Sequence, residues 1–343
     1  MHLTAAHTPV VAFLSLFFSL PSLSLSPWVY CPLVSTTCFA SFACFTWYCH
    51  PPVCSRCKVC ISSSGFQNLR RPRPTFGNVR WLCPFCVVDD VYGVTQLHDV
   101  VYIVCIGSSA ILRFNATTHE RLTEIHVKDL RMPWDIVACE QTSQLYVAEL
   151  GECVFRVSAD GTDIKLWISK SSSVTVQPYT VSVTSTRLLV TSRDTKHLIQ
   201  FDSDGDELRR VQLPDHMKPE HAVESPTTTF IFSHYNTQLN QFQISEVNTE
   251  GQVLNQFTGS RLLPLGSTQH IAIDSHGNVF VADFDNGHIW LLDAQLRLRR
   301  LLLDERQLND KRPWRLCYSE PTGQLLVGLL YEKTVAVFDV LRQ

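Results

Sequence analysis

The sequence predicts an all-β fold, a six-bladed β-propeller. Three observations carry this: hydrophobic columns recur every 43 to 46 residues, short β-branched and aromatic segments alternate with turn residues, and turn glycines keep the same phase. The apolar residue that opens the third strand of each unit falls at Ile111, Val154, Leu198, Ile244, Ile289 and Val335. The preceding strand gives an independent column at Tyr102, Tyr146, Leu189, Ile231, Phe280 and Leu326. Gly161, Gly205 and Gly251 follow the third strand in register, each directly after an acidic residue.

Each unit has room for four short strands, as in Gln269 to Asp293 followed by Leu296 to Leu303. A lone four-stranded sheet leaves two apolar faces uncovered, and stacking such sheets around an axis covers both. The last unit supplies only three strands, around Arg315 to Tyr318, Leu325 to Leu329 and Val335 to Val340. Its fourth is expected from the segment Asn78 to Val88, so that an N-terminal strand closes the ring and hides its open edge. Blade four is expected to carry a longer loop between its second and third strands, from Ser233 to Gln243.

Charge divides the chain. Its 343 residues carry a formal charge of -3, but the first 88 hold six basic residues, no acid and nine of the 13 cysteines. From Asp89 onward 23 basic and 32 acidic residues leave -9, with four cysteines. Residues 1–75 are expected to be mostly irregular, and residues 76–343 to form the propeller. The apolar run from Val10 to Leu20 is too short to span a bilayer. It would suit the core of a secretory signal, although no Lys or Arg precedes it; the alternative is a mis-predicted, low-order segment. Cys54, Cys57, Cys83 and Cys86 form two CxxC pairs with the chemistry of a tetrahedral zinc site, against which Cys83 and Cys86 fall in the expected closing strand. The other cysteines, Cys105, Cys139, Cys153 and Cys317, fall in strands; free thiols there suit a reducing compartment, and the expectation is a cytoplasmic protein, or a secreted one if the apolar run is a signal. No GxSxG elbow, phosphate-binding loop or HExxH motif occurs.

In blade five, His270-Ile-Ala-Ile-Asp274, Gly277-Asn278-Val-Phe-Val-Ala-Asp283 and Asn286-Gly-His288-Ile289 resemble an NHL repeat; Gly287 and His288 stand where the eponymous His and Arg would be. Blades two, three and six resemble it more faintly, through Pro133-Trp-Asp-Ile-Val, Pro178-Tyr-Thr-Val and Pro313-Trp-Arg-Leu. The resemblance spans residues 89–343. It implies a propeller like that at the C-terminus of TRIM-type ubiquitin ligases, carrying protein or RNA on its funnel face. The amidating lyases of the same family use a metal near the funnel.

The residue just before each inner strand rims the funnel, which gives Tyr92, Trp134, Tyr179, Glu220, Gln269 and Trp314, four of them aromatic. The next position gives Gly93, Asp135, Thr180, His221, His270 and Arg315. A monomeric, non-enzymatic scaffold for a protein or single-stranded RNA is the expectation, with no cofactor and no membrane span. Its ligand rim would be Tyr92, Arg131, Trp134, Tyr179, His270, Arg312, Trp314 and Arg315; the competing reading of the aromatics is that they seal neighbouring blades. One alternative is a metal-dependent lyase or lactonase-like enzyme holding zinc or calcium with His221, His270 and Asp135. Another is the substrate-binding end of a TRIM-type ubiquitin ligase.

Overall fold

The structure is a computed structural model and describes residues 79–81, 85–87, 89–169, 176–260 and 263–340. Six antiparallel sheets follow one another along the chain, spanning residues 91–126, 133–169, 180–212, 217–257, 268–303 and 312–340, here blades one to six. Their innermost strands are Val91–Leu97, Pro133–Cys139, Thr180–Thr184, Met217–Glu224, Thr268–Ile273 and Arg312–Ser319. Each lies against the next and the sixth lies against the first, so the ring is closed around an axis.

The two sequence columns are what the blades bury. All twelve residues, from Tyr102 to Leu326 and from Ile111 to Val335, are at most 2% exposed. The apolar side chains sort into six clusters, each shared by two consecutive blades; one joins Tyr102, Val104 and Ile111 of blade one to Leu145, Val147 and Phe155 of blade two. No blade has a core of its own, which is why the repeat must close to be stable.

Closure uses the N-terminal segment. Val79–Trp81 pairs antiparallel with the third strand of blade six, Thr334–Val340, in the register Val79↔Val340 and Trp81↔Phe338, and Phe85–Cys86 continues the edge opposite Val335 and Thr334. The added strand comes in two short pieces rather than one run from Asn78 to Val88. Cys86 is therefore strand backbone, while Cys54, Cys57, Cys83 and the run from Val10 to Leu20 lie outside the described residues.

One expectation is corrected. Blade four has no long loop at Ser233 to Gln243: its second and third strands are themselves longer, Phe230–Asn236 and Gln241–Val247, and a tight turn joins them. Asn236 Oδ1 accepts the backbone N–H groups of Gln238 and Leu239, both at 3.1 Å, and Asn240 takes the left-handed conformation at φ 53°. The polar residues that read as loop pair as ladder instead. Among the described residues no helix is long and apolar enough to cross a membrane.

Blades one and two pack closely at Gly93, where an added Cβ would lie 2.8 Å from both the Ile136 backbone N and Val104 Cγ2. Gly93→Ala is expected to cost about 1–3 kcal/mol through this overlap, read as a lowered unfolding midpoint in calorimetry.

Candidate functional site

The site begins with a repeated backbone irregularity. In five of the six blades the pairing of the first two strands slips by one residue at the same level, between Val91 and Gly93, Pro133 and Asp135, Pro219 and His221, Thr268 and His270, and Pro313 and Arg315. A bulge re-aims the side chains around it. The skipped residues, among them Tyr92, Trp134 and Trp314, stand at the funnel rim, half-buried. The residues after them point at the axis and are buried: Asp135 and Arg315 are 1% exposed, His221 2% and His270 7%.

Along the axis the buried side chains tie each blade to another. Asp135 Oδ2 accepts the Val181 N–H at 3.0 Å, Thr180 donates to the Glu220 carbonyl at 2.8 Å, His221 Nδ1 accepts the Ile271 N–H at 3.4 Å and His270 Nδ1 accepts the Leu316 N–H at 3.3 Å. Arg315 reaches furthest. Its guanidinium donates to the carbonyls of Tyr92 at 2.7 Å and Trp134 at 3.0 Å, and its Nε lies 3.7 Å from Asp135 Oδ1. Gly328, opposite Arg315 on the neighbouring strand, leaves room for that side chain: a Cβ there would come within 3.2 Å of the Arg315 Cβ.

Above the axis the rim aromatics form a continuous arc. Ring centroids are 4.8 Å apart for Tyr92 and Trp134, 5.5 Å for Trp134 and Tyr179, 6.2 Å for Trp134 and Trp314, and 5.5 Å for Trp314 and Phe284. The Arg315 guanidinium carbon sits 4.9 Å from the Trp314 ring centre and 5.8 Å from that of Trp134, so the buried cation backs both indoles.

His270 and Arg315 thus do not stand on the rim, because the bulge turns them inward beneath it. Arg312 is at the rim but occupied: it donates to the Asp285 carbonyl at 2.6 Å and lies 3.6 Å from Glu305. Arg131 is exposed. Residues missed by the column, including Phe284, Leu150, Arg193 and Asp194, sit on the loops between second and third strands. In an antiparallel blade those loops end at the same face as the start of the inner strand.

His221, His270 and Asp135 do come together, with one ligand atom from each within 4.8 Å of the others. They do not suit a metal ion. Each Nδ1 already accepts a backbone N–H, which leaves the ring proton on Nε2, where a cation would need a lone pair. The imidazoles are stacked 3.6 Å apart at 28°, so their in-plane lone pairs run side by side rather than converging, and Arg315 places a positive charge beside the one carboxylate. Both Nε2 atoms are buried and without a protein hydrogen-bond partner. Burial holds both histidines well below the usual imidazole range, helped by each other's proximity for His221 and by Arg315 for both. Burial likewise raises Asp135 and lowers Arg315, and their mutual attraction opposes both shifts.

Replacing Arg315 by Met should destabilise strongly, by about 3–5 kcal/mol, since it strands a buried carboxylate; Arg315→Lys should recover little, because one ammonium cannot span carbonyls from two blades. Denaturant midpoints check both. A pH effect follows from the neutral histidines. Their folded-state values lie below the unfolded value of about 6.5, so the unfolded chain binds more protons as pH falls through that point. Stability is therefore full above about pH 6.5 and declines below it, by up to about 1.4 kcal/mol per pH unit for each histidine. The raised Asp135 acts the opposite way at lower pH. Unfolding curves of a His221→Asn/His270→Asn variant between pH 7 and 5 should show a flatter slope than those of the parent chain.

No protein-family model matches the chain, and no curated protein sequence matches it either. Solved structures do. A catalytically inactive variant of virginiamycin B lyase from Staphylococcus aureus with quinupristin is similar over 73% of this chain and 80% of that one, at 14% identity and TM-score 0.54. A streptogramin B lyase is similar over 77% of this chain and 98% of that one, at 11% identity and TM-score 0.56. A nidogen/laminin complex contributes a chain similar over 66% of this one and 84% of its own length, at 15% identity and TM-score 0.51. At these identities the likenesses bear on the propeller fold alone; two of the three structures are lyases and the third is a protein complex.

Proposed function

We propose that this chain is a non-enzymatic binding scaffold whose ligand face is the funnel rim and whose partner is a protein. The observation that carries the reading is the aromatic arc of Tyr92, Trp134, Tyr179, Trp314 and Phe284, held rigid by mutual stacking and by Arg315 from below, with Met132 45% and Tyr331 72% exposed on blades two and six. Rigid, half-exposed aromatics are what protein interfaces concentrate at their centres. The NHL-like residues of blade five support an NHL-type lineage, and the nidogen/laminin structure is an instance of the fold in a protein complex.

A protein partner is favoured over single-stranded RNA by the state of the rim cations. Arg193 pairs with Glu220 at 2.9 Å, Arg312 with Glu305, and Lys311 with Glu332. Arg131 and Lys218 make no salt bridge among the described residues, and the Lys218 charge already acts on Glu220, against a charge of -9 on residues 89–343. Phosphate tracking needs a row of free cations. A lyase reading would need the axial histidines within reach of substrate, and they are buried beneath the arc.

Selection of a displayed random-peptide library on the immobilised full chain tests this. Enriched peptides are expected to bind Trp134→Ala at least tenfold more weakly and Arg299→Ala, at the opposite end of blade five, unchanged, while polyuridine shows no saturable binding at near-physiological salt. Peptides indifferent to Trp134→Ala, or saturable polyuridine binding lost in that variant, would overturn the assignment.

A further inference from the structure

Between blades two and three the rim opens into a cavity of about 330 Å³, lined by Trp134, Leu150, Gly151, Gln177, Pro178, Tyr179, Arg193 and Asp194. That volume is at the small end for an organic ligand, and it accommodates one large side chain. Two aromatic rings and Pro178 make the walls. The polar groups at its edge are the ones that choose the occupant.

The single cation there is already neutralised. Arg193 lies with its guanidinium carbon 5.2 Å from the Tyr179 ring centre and its NH2 2.9 Å from Glu220 Oε1. Glu220 is 2% exposed, and its second oxygen is buried without a hydrogen-bond partner. Burial raises Glu220, with Arg193 pulling it back, and burial followed by the Glu220 charge pushes Tyr179 up to about 12, so the phenol stays neutral. Asp194 is exposed and has no ion pair among the described residues. Among the residues that line the cavity Arg193 is held by Glu220, which leaves the carboxylate of Asp194 without an ion pair at a mouth walled by Trp and Tyr faces.

Aromatic faces next to an unpaired carboxylate attract cations and repel acids. We infer that the cavity between blades two and three, walled by Trp134 and Tyr179 with Asp194 at its mouth, receives a basic side chain, arginine or lysine, of the protein partner. The inference rests on the rim as the binding face and names the anchor that enters it. Arg193 shows the chemistry in place: a guanidinium lies against Tyr179 and pairs with the acid behind it. The -9 charge of residues 89–343 adds long-range attraction for such a partner.

The test uses the full chain with ¹⁵N-labelled tryptophan, the Trp134 indole resonance being assigned through Trp134→Phe. Four probes share one glycine-serine host peptide and carry arginine, lysine, norleucine or glutamate at the centre. The arginine or lysine peptide is expected to shift the Trp134 resonance saturably, with norleucine and glutamate at least tenfold weaker. Asp194→Lys should weaken the basic peptides at least tenfold at an unchanged unfolding midpoint, and Asp194→Asn should do so by a smaller factor. Norleucine binding as tightly as arginine, glutamate binding more tightly, or Asp194→Lys leaving the basic peptides unaffected would overturn the inference. So would the absence of any shift with all four peptides; in that case library peptides that still depend on Trp134 would leave the rim standing as the binding face.

Discussion

A guanidinium with five donors, buried at the axis of a ring, needs more partners than its own blade supplies, which here is the Trp314 carbonyl at 3.4 Å. Arg315 meets that constraint through carbonyls of blades one and two and the carboxylate of Asp135. Much of the funnel follows from this one side chain. The carbonyls it binds belong to Tyr92 and Trp134, whose rings form the arc above, and its flat face backs two indoles at once. The aromatic surface offered to a partner is therefore positioned by an electrostatic demand underneath it, and the two cannot be varied independently.

The stacked histidines fit the same logic. Two neutral rings beside a guanidinium bring no further charge to a place where desolvation is costly. Each accepts an amide from the next blade, so they act as ties around the ring. The same residue types in the same column would be metal ligands if their Nδ1 atoms were donating and their planes convergent. What separates a structural tie from a ligand here is which nitrogen holds the proton and how the rings face.

The blades were legible in the sequence because inter-blade cores need large apolar residues at one fixed level of every unit, and such residues recur visibly. The missing fourth strand of blade six was legible as an imbalance, and Val79–Trp81 fills it. Exposure at the funnel was not. His270 and Arg315 have the composition of rim residues, and only the one-residue slip in strand pairing, a matter of backbone register, turns them inward. Arg193 and Asp194 left no periodic trace, since a charged loop residue has no counterpart at the same level of other blades. Ser233 to Gln243 read as loop because it is polar, yet blade four buries Ser233, His234 and Gln243 in its ladder, with His234 Nε2 and Ser245 Oγ 2.8 Å apart.

Ring closure joins Val79 to Val340, about 260 residues apart along the chain. The entropy of bringing such distant segments together must be overcome before the contact returns anything, so closure belongs among the slow, late steps of folding. During synthesis the closing segment leaves the ribosome before blade one and its partner strand only after blade five. Until then blades one and six each lack the neighbour that covers one of their faces. The chain is most exposed to misassembly in that interval, and the same contact that seals the finished ring sets how long the interval lasts.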